Sequence, residues 1–383
     1  MTGFNPNRLR EIRVMQGITL DQLAGFLGIT KQAVSKYEHG KSIPSSDIIA
    51  RMLNVLNIPR KYLVKDNVVF ASGCSPIFFR AMSTTTKGNI DFAEIVSRWG
   101  YEILCGLETV HKTIFPEIDS ALTIPEKAME LRRQWGIGNL PVGNMTALLE
   151  NRGFYIFTID SAELNTDAYS RVINGIPIIV LNKNKGTAVR RRFSLAHELG
   201  HLILHKELSG TDFDTRTAEL EVEANLFAEH FLMPVAGFRN SMMSPKLKHF
   251  IPLKREWGVS MAAMIYHSNK IGLISDQKKK SLYERMSKQG WRKTEPLDDV
   301  LEFEIPGKLY DLISQQITDA NSFDKFFDIV RLPDDEIEQL CSLPQKYLPR
   351  YHYENNSEDS LYSAYQEEHR QLTLFPEDGG AYA

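Results

Sequence analysis

Cysteine is scarce: the three in this 383-residue chain, Cys74, Cys105 and Cys341, stand far apart with no CxxC pair. That excludes a disulfide framework and a cysteine zinc site, and it predicts a reducing compartment. Long apolar runs are missing as well. Nothing approaches the roughly 18 consecutive apolar residues of a bilayer span, and the polar start MTGFNPNRLR has no signal-peptide hydrophobic region. Secretion and membrane insertion are not expected, and the expected location is cytoplasmic. No internal repeat is present. Neither sign of charge dominates, with 45 Lys and Arg against 48 Asp and Glu, but the distribution is uneven. Residues 1–65 carry ten basic and four acidic side chains, whereas residues 350–383 carry two and seven. The front is basic and the tail acidic.

What is present suffices for a folded, multidomain chain. At 43% hydrophobic and 24% charged residues, 383 residues exceed one ordinary domain and can bury a sizeable core. Residues 7–65 read as short helices punctuated by Gly17, Gly28, Gly40, Pro44 and Pro59, with Thr19, Thr30 and Ser45 or Ser46 placed as caps. Residues 66–145 are mostly helical text, clearest in FAEIVSRWGYEILCGLETV and PEKAMELRRQW. Between 151 and 182 the pattern changes to GFYIFTI and GIPIIVLN, β-branched and aromatic runs bounded by turn residues, which predict strands. Helices are predicted over 190–206 and 217–232, the latter stopped by Pro234, so this stretch reads as an α+β unit. Helical text returns over 255–345, and the polar, acidic segment after 350 is expected to be partly disordered.

In TLDQLAGFLG and TKQAVSKYEHG, Leu20, Leu23, Ala24, Leu27, Ile29 and Val34 mark the apolar faces of two short helices meeting around Gly28. That spacing suits a helix-turn-helix. The second helix then points Lys31, Gln32, Ser35 and Lys36 outward, side chains that can reach base edges and phosphates in a major groove. A small helical docking or dimerisation domain with a solvated basic face is the plainer alternative. Residues 6–64 resemble the lambda-repressor-like, Xre-type regulators, because LDQLAGFLGITKQAVSKYEHGKSIPS follows that family's turn, recognition helix and loop almost without gaps. The resemblance implies binding to duplex operator DNA, commonly as a homodimer.

The most informative string runs from Phe193 through His197, Glu198 and His201. Histidines at i and i+4 share one helical face, so both imidazoles can reach one Zn²⁺ while Glu198 handles a proton. The apolar flanks Leu195, Ala196, Leu199, Leu202 and Ile203 place this helix in a core. A third protein ligand is needed, with the fourth position left to water. On the following helix Leu220, Ala224, Phe227, Ala228 and Phe231 define the buried stripe, and Glu221 lies at its edge, with Glu223 as runner-up and Asn225 as a partner behind the ligands. His205 can be a ligand, a proton shuttle or a packed side chain. Arg190, Arg191 and Arg192 read as a solvated helix start or a substrate grip, and Tyr169 is a guess for the oxyanion donor.

HELGHLILH together with EVEANLFAEHFLMP resembles the ImmA/IrrE metallopeptidases over residues 150–240. By motif position the resemblance makes His197, His201 and Glu221 the zinc ligands and Glu198 the general base. Members of that family cleave helix-turn-helix repressors, which implies a protein substrate: a repressor, an antitoxin or this chain itself. The expected fold class is therefore multidomain and mostly α: an all-α helix-turn-helix domain, an α+β zincin-like metallopeptidase domain and a helical C-terminal region. The expected ranges are 1–65 for the DNA-binding domain, 66–145 for a connecting region, 146–290 for the peptidase, 291–349 for the C-terminal region and 350–383 for the tail. The competing reading is a transcription regulator or toxin–antitoxin component whose zincin fold is a sensor or scaffold.

Overall fold

The computed structural model describes residues 3–66, 74–79, 87–161, 164, 166–208 and 210–348. The acidic tail over 350–383 falls outside them. Among the described residues are seventeen α-helices and one four-stranded sheet, so the protein is mostly helical with a single small β layer. They divide into two compact units. One gathers residues 3–66, 98–110 and 310–348; the other gathers residues 74–79, 87–97 and 111–309.

The first unit opens with five helices, α1 (Pro6–Met15), α2 (Leu20–Leu27), α3 (Lys31–Glu38), α4 (Ser46–Leu56) and α5 (Arg60–Leu63). Local chemistry sets their ends. The Thr19 hydroxyl accepts from the Gln22 backbone N–H at 3.2 Å, and the Gln22 side chain accepts from the Thr19 N–H at 2.9 Å, a reciprocal cap on α2. Thr30 caps α3 through the Ala33 N–H at 3.2 Å. Gly28, at φ 67°, ends α2 in the left-handed region that glycine adopts without strain. Leu23, Ala24, Leu27 and Val34 are buried between these helices, and Arg13 donates to both carboxylate oxygens of Glu38, at 2.5 and 2.9 Å, tying α1 to α3.

The second unit contains β1 (Phe78–Phe79), the first half of α6 (Lys87–Gly106), α7 (Ile124–Gln134), α8 (Met145–Asn151), β2 (Tyr155–Ile159), β3 (Ala168–Ile173), β4 (Ile176–Asn182), α9 (Ala188–Leu204), α10 (Gly210–Leu232), α11 (Val235–Ser241), α12 (Phe250–Trp257), α13 (Met261–Lys270) and α14 (Asp276–Lys288). The sheet order is β1-β3-β4-β2, with β2 parallel to β4 and the other pairings antiparallel. β2 and β4 are the two expected runs. β3 and β1 are additions: AYSRVI carries polar residues that are nonetheless buried, and residues 74–79 find their partner far along the chain. β3 and β4 are joined by Asn174 at φ 50° and Gly175 at φ 81°, the two-residue left-handed turn that matches strand twist.

β2, β3 and β4 are buried along nearly their whole length, and their core is continuous with Leu195, Leu199 and Leu202 of α9 and Phe227 and Phe231 of α10. Arg132 on α7 fastens this layer: its Nε donates to the Gly138 carbonyl at 2.7 Å, and its terminal nitrogens donate to the carbonyls of Phe231 and Leu140. Burial without a carboxylate partner pulls that guanidinium down to about 10.

The later helices α15 (Lys308–Gln316), α16 (Ala320–Val330) and α17 (Asp334–Leu340) belong largely to the first unit, along with the second half of α6. There Arg8, fully buried, donates to Glu102 at 2.5 Å and to Glu11 at 3.1 Å, and Lys65 donates to Glu102 at 2.9 Å and to the Val330 carbonyl. The N-terminal helices and the C-terminal ones thus share a core that holds paired charges.

Candidate metal centre and candidate nucleic-acid interface

The centre is built where α9 and α10 cross. A Cβ placed on Gly200 would lie 3.2 Å from the Ala224 Cα and 3.2 Å from its carbonyl oxygen, so the helices approach as closely as backbone permits. Glycine opposite alanine is what lets a carboxylate on α10 reach the histidines of α9. His201 Nε2 lies 3.0 Å from His197 Nε2 and 3.1 Å from Glu221 Oε1, and His197 Nε2 lies 3.3 Å from Glu221 Oε2. A tetrahedral zinc ion with ligands at 2.0–2.1 Å has ligand–ligand edges of about 3.3 Å. The spacing between the two ring nitrogens, and from each of them to a Glu221 oxygen, is of that size.

The surroundings fix the correct ring nitrogens for that task. His205 Nε2 lies 2.8 Å from Glu223 Oε2, so it donates there; its Nδ1 then accepts from His201 Nδ1 at 3.0 Å. The His201 proton is held on Nδ1 and the Nε2 lone pair is turned to the centre. On the other side His197 Nδ1 donates to Asn225 Oδ1 at 3.1 Å, and the Asn225 amide donates to the Glu221 carbonyl at 2.7 Å. Burial, reinforced by the neighbouring His197 and only partly offset by Glu221, pushes the His201 ring down to about 3. Burial works against the Glu221 anion, yet the two histidines outweigh it and hold that carboxyl down at about 2. Two neutral imidazoles and one carboxylate form the donor set.

Of the three carboxylates on this part of α10, Glu221 reaches the histidines, Glu223 turns to His205, and Glu219 pairs with Arg216 at 2.9 Å on the surface. His205 meets the far nitrogen of His201 rather than the donor triangle. Glu198 is 1% exposed, and its Oε2 accepts from the Ser170 hydroxyl on β3 at 2.6 Å. Sequence reasoning missed Ser170; only pairing the Asn174-Gly175 turn with its flanking strands could have brought it beside α9. Tyr169, its neighbour, points to the other face and donates to the Ala93 carbonyl at 3.2 Å, which takes it away from any oxyanion role. The arginine run is structural: Arg190 donates to Asp167 at 2.7 Å, Arg191 lies 3.8 Å over the Phe303 ring, and buried Arg192 donates to the Gly143 and Val142 carbonyls and to Glu304. Further along α9 and α10 a cleft of about 520 Å³ opens between Phe193, Asn225, Glu229, Met233, Tyr266 and Arg292.

A second buried group, Glu229, His230 and His267, also carries donor atoms close enough for an ion. Here Glu229 already accepts from His267 Nδ1 at 2.7 Å and from Lys270 at 3.2 Å, so its negative charge is matched by an ammonium.

In the first unit, Lys31, Gln32, Ser35 and Lys36 all lie on α3. Gln32 and Lys36 are exposed, Ser35 is half-buried beside His39 at 3.4 Å, and Lys31 reaches back to Asp21 at 2.6 Å in an exposed ion pair. A strand-bounded helix carrying two histidines a turn apart against a carboxylate helix defines one unit, and a capped helix-turn-helix defines the other.

Comparison with known proteins agrees with both. Residues 149–269 match the peptidase family model described as the IrrE N-terminal-like domain, and residues 9–63 match the helix-turn-helix model. The chain is 36% identical over 58 residues to the SPbeta prophage-derived uncharacterized HTH-type transcriptional regulator YonR of Bacillus subtilis (strain 168). That similarity covers 15% of this chain and 54% of the relative, so the chain spans about half the length of the curated relative it matches. The chain therefore joins a helix-turn-helix domain to an IrrE-like domain. No helix among the described residues is long and apolar enough to cross a membrane.

Proposed function

We propose that this protein is a DNA-binding regulator whose IrrE-like domain is a zinc-dependent endopeptidase that acts in the cytoplasm on a repressor, an antitoxin or its own chain. The observation that carries the reading is the convergence of His197, His201 and Glu221, with Glu198 following His197 in the chain. The donor set and the tautomers enforced by Asn225 and by His205 with Glu223 suit Zn²⁺. When bound, zinc supplies a Lewis acid that makes water acidic near neutrality and polarises the scissile carbonyl. Glu198 takes the proton of the attacking water and delivers it to the leaving amide nitrogen, while Ser170 holds the carboxylate in place. Glu221 contributes negative charge and fixes the third position.

In the first unit, Gln32 and Lys36, with Lys31 and Ser35, meet the edges and phosphates of an operator, and two chains bind as a homodimer. The functional ranges remain 1–65 for DNA binding, 66–145 as a connection, 146–290 for the peptidase, 291–349 for the helical C-terminal region and 350–383 for the tail. The test is the metal content of purified wild type, His197→Ala and Glu221→Ala by mass spectrometry. Near-stoichiometric zinc in the wild type, lost in both variants, is the expected result. A wild type without zinc after the metal is added back overturns the peptidase and leaves a regulator with a silent fold.

A further inference from the structure

The sheet edge beside the candidate metal centre is already covered by the chain itself. The matched IrrE-like region, residues 149–269, supplies β2, β3 and β4, whereas β1 comes from far upstream of it. In the order β1-β3-β4-β2, removing β1 leaves β3 as an open edge. Such an edge presents unpaired N–H and C=O groups to any extended segment. β3 also carries Ser170, which donates to Glu198, and the residue paired directly with Ser170 is Phe78. A polypeptide added along β3 therefore runs its main chain past the general-base candidate.

The grip of residues 74–79 on this edge is irregular. Cys74 faces Ile173 and Phe78 faces Ser170, so Ser75, Pro76 and Ile77 stand against only Arg171 and Val172. That is a bulge. Ser75 makes three hydrogen bonds to this edge: its N–H donates to the Val172 carbonyl at 3.0 Å, its hydroxyl accepts from the Val172 N–H at 2.9 Å, and its carbonyl accepts from Arg171 at 3.2 Å. Pro76 has no N–H to give to the ladder. A regular extended segment can pair with β3 without that interruption, so it can take its place.

We propose that residues 74–79 occupy the β3 edge as a built-in pseudosubstrate, which an extended segment of the peptidase's substrate displaces. The proposal rests on the peptidase reading above, and its test separates the two. A fluorescein-labelled peptide with the sequence of residues 74–79 is titrated by anisotropy into zinc-loaded, full-length Glu198→Gln protein, with and without Ser75→Pro, which removes the N–H bond to Val172. Binding at least tenfold tighter to the Ser75→Pro form is expected. Equal binding to both, or binding to neither, overturns the proposal. Circular dichroism checks that Ser75→Pro folds; if it does not, Ser75→Ala, which deletes only the hydroxyl, decides through a smaller gain of about threefold. With Glu198 intact, fluorescent denatured casein should be cut faster by the Ser75 variants than by wild type. Casein cut at equal rates overturns the inhibitory role. Casein left intact by every zinc-loaded form sinks the peptidase reading instead, and the peptide titration alone then judges the docking edge.

Discussion

The polar residues of α3 and those of α9 and α10 make equally short sets, but they are held in opposite ways. Gln32 and Lys36 stand in solvent with no prescribed geometry, whereas His197 and His201 are fully buried and each ring nitrogen has a defined neighbour. Side chains that meet a nucleic acid gain their partners only on binding, so exposed side chains such as Gln32 and Lys36 suit the proposed DNA contact. Side chains that hold a metal must present lone pairs at a fixed point before it arrives, and stray rotation there costs affinity. The lesson is that one candidate site is a surface and the other is a network that holds its donors from behind.

The comparison can be broken most severely at Glu198. Glu198→Gln should retain zinc and lose hydrolysis by about 10³-fold or more, the scale of a removed general base, while operator binding is unchanged; metal analysis beside a cleavage assay checks both. Normal cleavage by that variant would mean the chemistry runs elsewhere. The network behind the ligands comes next. Asn225→Ala should weaken zinc binding by roughly 10- to 100-fold, the usual effect of losing a ligand-orienting partner, as read by competition with a chelating dye. Gly200→Ala should act in the same direction but more weakly, because its methyl group would sit 3.2 Å from the Ala224 backbone, a tight contact that pushes α10 and Glu221 outward slightly.

On the surface side, Gln32→Ala should weaken operator binding by about tenfold or more if it contacts a base edge. Lys36→Ala should instead lower affinity across all sequences and flatten the salt dependence by about one unit of slope. Neither should alter zinc content; gel shifts across salt concentrations and metal analysis settle the pair. The smallest effect concerns pH. Burial, then the neighbouring His267, pushes His230 down to about 4, below its unfolded value near 6.5. The folded state therefore holds the neutral ring: its contribution is complete above about pH 6.5 and drains away as pH falls toward 4. Denaturant unfolding at pH 7.5 and 5 should show the loss, and His230→Gln should reduce it.

Much of this was legible because it is local. The caps at Thr19 and Thr30, the left-handed Gly28 and the i, i+4 histidines are all set by neighbours within a turn or two. The β3–β4 hairpin had a local signal too, the Asn174-Gly175 pair, but Ser170 and Arg171 masked the strand before it by breaking the apolar run. β1 had none, since its partner lies some ninety residues away in Ser170 and Tyr169 and Pro76 argues against a strand. Arg192 illustrates the reverse error: a charge run reads as solvated, yet this residue is 8% exposed, its two terminal nitrogens held by two carbonyls and Glu304.

By itself the sequence determined that two histidines share a face of one helix, that Glu198 sits between them, and that a capped helix presents Gln32 and Lys36 outward. Backbone geometry within a helix enforces those relations whatever surrounds it. Tertiary structure alone decided that Glu221 closes the triangle while Glu223 serves His205, that each imidazole turns its Nε2 inward, and that residues 74–79 lie along β3. Those depend on how closely Gly200 lets α10 approach α9 and on which strand claims a sheet edge, distances that packing sets between segments far apart in the chain.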